Sequence, residues 1–274
     1  MTAPAAAPPV PPLRAGDPPS AILVDYDGTV ALTDVSDTVL AEYITAEWES
    51  DVAAYDAGLV GSRRLMTSEM AMLDADPADL FATAAAQPHD PGFVSFVRRA
   101  RDAHIPVEIV SDGFGFFIEP AMVAMDLADV PIITARTTFH GRRATIEYPN
   151  GNPHCLVCGT CKRNRVLAHR AAGRRVVFIG DGESDRYAAG YSDVVFAKRS
   201  LVRICQEAGW PFERWTDFHE IESWLARMLA TWADAPASLP ILAPGAPLPN
   251  GYFCGEQAWG SGVIDPPVGS WPPR

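Results

Sequence analysis

Two carboxylates one residue apart, Asp25 and Asp27, close the run Ile22-Leu23-Val24-Asp25-Tyr26-Asp27-Gly28-Thr29. The apolar, β-branched part reads as a buried parallel strand, and the carboxyl end of such a strand is where open α/β sheets bind ligands. Alternate residues of an extended chain point the same way, so the two side chains face one small volume. At an effective dielectric of about 20, unit charges about 4 Å apart repel by roughly 4 kcal/mol, so the pair calls for a cation, a shared proton or both. A strand followed by an Asp-Gly turn, with Asp25 as its cap, explains the same letters without chemistry. This stretch alone leaves both readings open.

Two more apolar runs end in small polar clusters. Val107-Glu108-Ile109-Val110 runs into Ser111-Asp112-Gly113, and Val176-Val177-Phe178-Ile179 runs into Gly180-Asp181-Gly182-Glu183-Ser184-Asp185. Between them Lys162 opens a helical pattern, a place where cations are disfavoured by the helix dipole and so need a reason to be. Lysine is scarce, occurring only at 162 and 198, which makes each position more informative.

The elements that must place these clusters alternate strand and helix, with further strands at 132–134 and 194–197 and helical patterns at 92–104, 114–127 and 161–172. The predicted fold class is α/β, a Rossmann-like parallel sheet with helices on both faces. A β-hairpin is expected over 136–148, turning at His140-Gly141. Helical patterns at 34–48, 62–73 and 78–86 form an insert after the first strand, closed by Pro88 and Pro91. The expected organisation is a Pro/Ala-rich leader at 1–19, a core at 20–32 and 89–234, a helical cap at 33–88 and a Pro/Gly-rich tail at 235–274.

The chain has 274 residues, 48% of them hydrophobic, enough for one large core. A net charge of -12 without any long Lys/Arg run argues against a general nucleic-acid or polyanion binder. No apolar run approaches a membrane span, and the N-terminus lacks a charged region followed by an apolar one, so no membrane role and a cytoplasmic location are expected. Oligomeric state is not readable from the letters. Five cysteines, three of them as Cys155-x-x-Cys158-x-x-Cys161, do not form an even extracellular disulfide framework.

Taken together, Asp25-x-Asp27-Gly28-Thr29, Ser111-Asp-Gly113, Lys162 and Asp181 to Asp185 resemble, in order and spacing, the four motifs of the haloacid dehalogenase-like hydrolase superfamily, over about residues 20–232. That resemblance implies a phosphomonoesterase working through an aspartyl-phosphate, with Asp25 as nucleophile, Asp27 as acid/base and Lys162 offsetting negative charge. It implies one Mg²⁺ held by Asp25, the backbone carbonyl of Asp27 and Asp181, with Asp185 a ligand or the partner of one. Thr29, the Ser111 hydroxyl, Asp112 and the backbone N–H groups near Gly113 are the implied phosphate and substrate contacts. A carboxylate at Asp27 favours ester hydrolysis or phosphotransfer over dehalogenation. The alternatives are a mutase of the same family, or a non-catalytic metal- or redox-sensing protein on the same core.

The helical insert is similar to the small cap of the phosphoserine phosphatase-like branch. Gly61-Ser62-Arg63, the cysteine loop before Lys162, 193–198 and Trp215-x-Asp217-Phe218 resemble the methylthiopentenyl-phosphate phosphatases and the phosphocholine/phosphoethanolamine phosphatases. The expected partner is a small-molecule phosphate ester. Arg63, Arg64, Trp48 and Tyr55 are the cap candidates for substrate contact. The loop Cys155, Cys158 and Cys161 could offer three thiolates to zinc, with His154, His140 or Cys254 as a fourth ligand. It lacks a second Cys-x-x-Cys pair, and Arg165 stands where an iron-sulfur spacing needs cysteine, so metal-free thiols are expected.

Overall fold

The β-branched run that ends at Val24 is the centre of a seven-stranded sheet in a computed structural model that describes residues 20–231, except 45–47, 58, 153–154, 156 and 173. The expected leader and tail, His154 and Cys254 lie outside the described residues. In chain order the strands are β1 (Ser20–Val24), β2 (Val107–Phe114), β3 (Ile132–His140), β4 (Arg143–Glu147), β5 (Arg175–Gly180), β6 (Val194–Ala197) and β7 (Glu213–Arg214). Helices α1 (Val35–Tyr43), α2 (Trp48–Asp56), α3 (Ser62–Met72), α4 (Pro77–Ala85) and α5 (Phe93–Asp102) lie between β1 and β2. α6 (Gly115–Ala124), α7 (Lys162–Ala171), α8 (Arg186–Tyr191), α9 (Arg199–Ala208) and α10 (Phe218–Thr231) complete the described set.

The sheet order is β4-β3-β2-β1-β5-β6-β7, parallel except for the antiparallel β3–β4 hairpin. The chain builds outward from β1 on one side and then returns to build outward on the other. β1 and β5 are therefore the topological switch point, where the two loops diverge and leave a crevice at the strand ends. Leu23 packs with Val110, Phe178 and Val166 on the face covered by α7 and α8, while Ile22, Val24 and Tyr26 join the larger core under α5 and α10. This two-residue alternation places Asp25 on the Leu23 face and sends Tyr26 to the other, where its hydroxyl meets His89 Nε2 at 2.8 Å.

The hairpin turns at Gly141, whose φ of +66° suits glycine. Two of the stretches read from the sequence fold differently. The stretch 34–48 is not one helix: α1 ends where Ile44 turns extended, and α2 begins afresh at Trp48. α2 carries too few periodic apolar residues to announce itself. β2 is longer than its apolar run, because Ser111, Asp112 and Gly113 continue the strand through an irregular register between Val110 and Phe114. No helix among the described residues is long and apolar enough to cross a membrane.

Candidate active site

The ladder carries Asp25 one step past β1, its N–H donating to Ile179 O at 2.9 Å, and then the chain turns sharply. The carbonyl of Tyr26 accepts from the N–H groups of Thr29, Val30 and Ala31. Gly28 sits at φ +68°, and a Cβ there would stand 2.2 Å from Asp181 Oδ2. Both facts require glycine: the backbone is left-handed and the neighbouring carboxylate needs the space.

Lys162, the first residue of α7, is buried and donates to Asp25 Oδ1 at 2.5 Å, Asp185 Oδ1 at 2.7 Å and Ser184 Oγ at 2.9 Å. Asp185 uses its other oxygen to accept from the N–H groups of Asp181 and Gly182, at 2.9 and 3.0 Å, which folds the loop after β5 back over the ammonium. Arg199 bridges Asp181 Oδ2 at 3.1 Å and Leu32 O at 2.9 Å, tying the loops after β5 and β1 together. Asp27 Oδ1 accepts from Val35 N at 2.9 Å, so this carboxylate caps the positive end of α1.

Oxygen atoms of Asp25, Asp181 and Asp185 lie within 4.8 Å of one another. Burial first, then the Asp185 charge, raises the pKa of Asp25, against the pull of Lys162. Burial and then Asp34 raise Asp27. Burial and Asp185 raise Asp181 to about 6, with Arg199 opposing. Burial would discharge Lys162, but Asp185 and Asp25 hold its pKa above the ordinary lysine value. Four carboxylates thus meet one ammonium and one half-exposed guanidinium. The set is short of positive charge and rich in hard oxygen donors, which is the donor chemistry that suits a magnesium ion.

The cluster opens into a cavity of about 280 Å³. Asp25, Asp27, Gly28, Ser111, Asp112, Gly113, Lys162 and Asp181 line it from the sheet side, and Ser36, Val52, Tyr55, Ser62, Leu65, Met66 and Glu69 from the helical insert. Ser111 Oγ accepts from Gly113 N at 3.1 Å. Asp112 joins three parts of the chain, accepting from Ser62 Oγ at 2.5 Å and from Thr160 N at 2.7 Å. Burial raises its pKa, with Ser62 and Thr160 opposing.

Of the residues singled out from the sequence, the structure brings Asp25, Asp27, Ser111, Asp112, Gly113, Lys162 and Asp181 to the cavity, with Asp185 beneath them. Thr29 is not brought there: its side chain is fully buried and does not line the cavity. Nor is Arg63, whose guanidinium stacks 4.9 Å from the Tyr148 ring and donates to Cys158 O at 3.2 Å. Arg64 and Trp48 are also absent from the lining, while Tyr55 is present. Arg199, Ser36 and Glu69 join the site without any sequence signal, and Ser184 joins it from within the polar run after β5. A lone arginine, serine or glutamate in a surface-like helix carries no motif, so only the fold reveals them. Among the described residues the acidic group is the one that gathers three metal-type ligand atoms, and the thiols of Cys155, Cys158 and Cys161 do not.

The family model described as haloacid dehalogenase-like hydrolase matches residues 22–190. The chain is 31% identical over 209 residues to a 2-hydroxy-3-keto-5-methylthiopentenyl-1-phosphate phosphatase of Brevibacillus brevis, a match covering 73% of this chain and 92% of the relative. It is 28% identical to the protein of the same name from Bacillus velezensis, over 80% of this chain and 97% of that one. In structure it is similar to a phospho-aspartyl intermediate analogue of phosphoserine phosphatase, with a TM-score of 0.58 at 15% identity over 76% of this chain and 99% of that one. With its motifs converging at the switch point of the sheet and a family model spanning more than half its length, the chain belongs to the haloacid dehalogenase-like hydrolases and is a phosphoric monoester hydrolase.

Proposed function

We propose that this enzyme hydrolyses a small phosphorylated metabolite in two steps through an aspartyl-phosphate on Asp25, with Mg²⁺ as cofactor. The observation that carries this reading is the pairing of one carboxylate fixed by Lys162 with a second, Asp27, that faces the same cavity and is held by the N–H of Val35. In the first step the Asp25 oxygen not held by Lys162 attacks phosphorus, and the bond from phosphorus to the leaving oxygen breaks. Asp27, its pKa raised, hands its proton to that oxygen. In the second step Asp27 accepts a proton from water as the water oxygen bonds to phosphorus, and the bond to Asp25 breaks. Asp25 is thereby regenerated.

The residues that would hold the ion are Asp25, Asp181 and Asp185, with the backbone carbonyl of Asp27. A bound magnesium ion supplies a charge that polarises the phosphoryl group and offsets its oxygens. The Ser111 hydroxyl and the N–H groups around Gly113 provide donors for phosphoryl oxygens. Lys162 pulls the Asp25 pKa down against burial and aims the carboxylate. The helical segment 33–88 acts as the cap that covers the leaving group and limits water.

The relatives' name points to a phosphate ester with a hydroxyl, a keto group and a thioether chain. Val52, Leu65 and Met66 in the cavity wall suit an aliphatic sulfur-bearing chain, and Met is a favourable partner for one. The test is turnover of p-nitrophenyl phosphate and of a panel of phosphorylated metabolites with Mg²⁺. Asp25→Asn should lose several powers of ten in kcat with the fold intact, and full activity in that variant would remove the nucleophile from the scheme.

A further inference from the structure

Glu69 is a buried charge-bearing group that the two-step scheme does not use. It stands on α3, whose residues Ser62, Leu65, Met66 and Glu69 form one face along the cavity. Ser62 at the start of that face touches Asp112, so Glu69, two turns on, lies about 10 Å farther along the helix from the Ser62 contact. Its side chain is 2% exposed and lines the cavity, and no hydrogen-bond donor is among the groups that set its ionisation. A buried carboxylate normally gathers N–H or O–H donors. Here the charged groups facing it are carboxylates, Asp37 from α1, Asp34 just before it and Asp51 from α2, with the Tyr148 phenol beyond β4. The cations in the cavity wall, Lys162 and Arg199, are already engaged by Asp25, Asp185 and Asp181.

A carboxyl group in that position has one favourable state, the neutral acid, and the neutral acid is a donor. We propose that Glu69 is a specificity-determining residue that donates a hydrogen bond from the helical insert to an uncharged hydroxyl or carbonyl oxygen of the leaving group, and that this end of the cavity rejects esters carrying a second anion. This rests on the phosphatase reading above and adds to it a class of leaving group. Burial and the three acids raise the Glu69 pKa to about 8, in keeping with a protonated group at neutral pH. The apolar lining from Val52, Leu65 and Met66 strengthens a hydrogen bond made beside it.

The experiment is steady-state kinetics of the full chain with Mg²⁺ on three esters: dihydroxyacetone phosphate (uncharged oxygens), 3-phosphoglycerate (a carboxylate) and O-phosphoethanolamine (an ammonium). Wild type should favour the first over the second by at least about tenfold in kcat/KM, the worth of one hydrogen bond or one unscreened repulsion. Glu69→Ala should raise the KM for dihydroxyacetone phosphate about tenfold with a smaller change in kcat, whereas Glu69→Gln, which keeps a neutral donor, should stay within about threefold of wild type. The wild-type KM should climb as pH passes about 8, and that of Glu69→Gln should not. Equal loss in Ala and Gln variants, an unchanged KM in Glu69→Ala, or a preference for the ammonium ester abolished by Glu69→Gln would overturn the proposal. Failure of wild type to hydrolyse any of the esters or p-nitrophenyl phosphate would instead strike the phosphatase reading itself.

Discussion

Lys162 Nζ stands 2.5 Å from Asp25 Oδ1 although 137 residues separate the two in the chain, and both side chains are almost wholly removed from solvent. The same ammonium reaches Asp185, so one charge holds the ends of β1, α7 and the loop after β5 together. Lys162→Met removes a cation buried between two carboxylates. Breaking a buried pair in this way costs about 3–5 kcal/mol, and the loss of an electrostatic stabiliser lowers kcat by about a hundred- to a thousandfold. Circular dichroism melts and p-nitrophenyl phosphate turnover check the two effects separately.

Gly28→Ala should damage the site without touching a titratable group. The new methyl would be 2.2 Å from Asp181 Oδ2, on a backbone at φ +68° that costs an L-residue about 1–2 kcal/mol. The expected outcome is a lower melting temperature together with a rise of about tenfold or more in the Mg²⁺ concentration for half-maximal activity, because Asp181 must move. A variant with unchanged magnesium dependence would show that Asp181 is not needed where it stands.

Under the sheet, Arg165 forms a two-pronged pair with Glu108, at 2.6 and 2.7 Å, and His169 adds a third contact at 3.2 Å. This locks α7 against β2 and so fixes where Lys162 emerges. Burial pushes the Glu108 pKa up, but the hydrogen bonds from His169 and Arg165 outweigh it and hold the group below its ordinary value. The folded state therefore binds this proton less readily than the unfolded one. The stability it contributes is present above pH 4.5 and is lost as pH falls from there through the folded pKa. Glu108→Gln should cost about 3–5 kcal/mol in urea unfolding at pH 7, and the gap from wild type should narrow in acid.

Glu69 works in the opposite direction. Its folded pKa of about 8 lies above the unfolded 4.5, so its contribution is full below pH 4.5 and fades as pH rises toward 8. Glu69→Gln should match wild type in stability in mild acid and exceed it at pH 9 in thermal melts.

Divalent ions should stabilise the chain. With Asp25, Asp181 and Asp185 gathered within 4.8 Å, a magnesium ion at a hundred times its dissociation constant adds about 2.7 kcal/mol. Differential scanning calorimetry with and without EDTA measures it, and adding Mg²⁺ back should restore both melting temperature and activity.

Much of this is legible in the letters because the chemistry is carried by strand ends. An apolar run such as 176–179 has one way to be buried, and the residues next in the chain have to emerge at the edge of the sheet, so Asp181 and Asp185 can be placed without coordinates. Lys162 is legible by its scarcity and its awkward place at a helix start. The side lined by the helical insert is not. Glu69 and Ser36 acquire meaning only from which helix faces which, and α2 has no apolar rhythm to mark it. Arg63 reads as a substrate ligand from its motif, yet Tyr148 and the carbonyl of Cys158 claim its guanidinium. Thr29 shows the same limit. Its neighbours in sequence reach the cavity, and the tight turn closed on Tyr26 O turns it inward.

Covalent capture of the phosphoryl group tests the central claim most directly. Enzyme mixed with excess substrate and Mg²⁺, quenched in acid within the first turnover and digested, should yield one phosphorylated peptide, with the acyl-phosphate on Asp25 and absent in Asp25→Asn. Turnover without any label on Asp25, or a label on another residue that survives in Asp25→Asn, would contradict it.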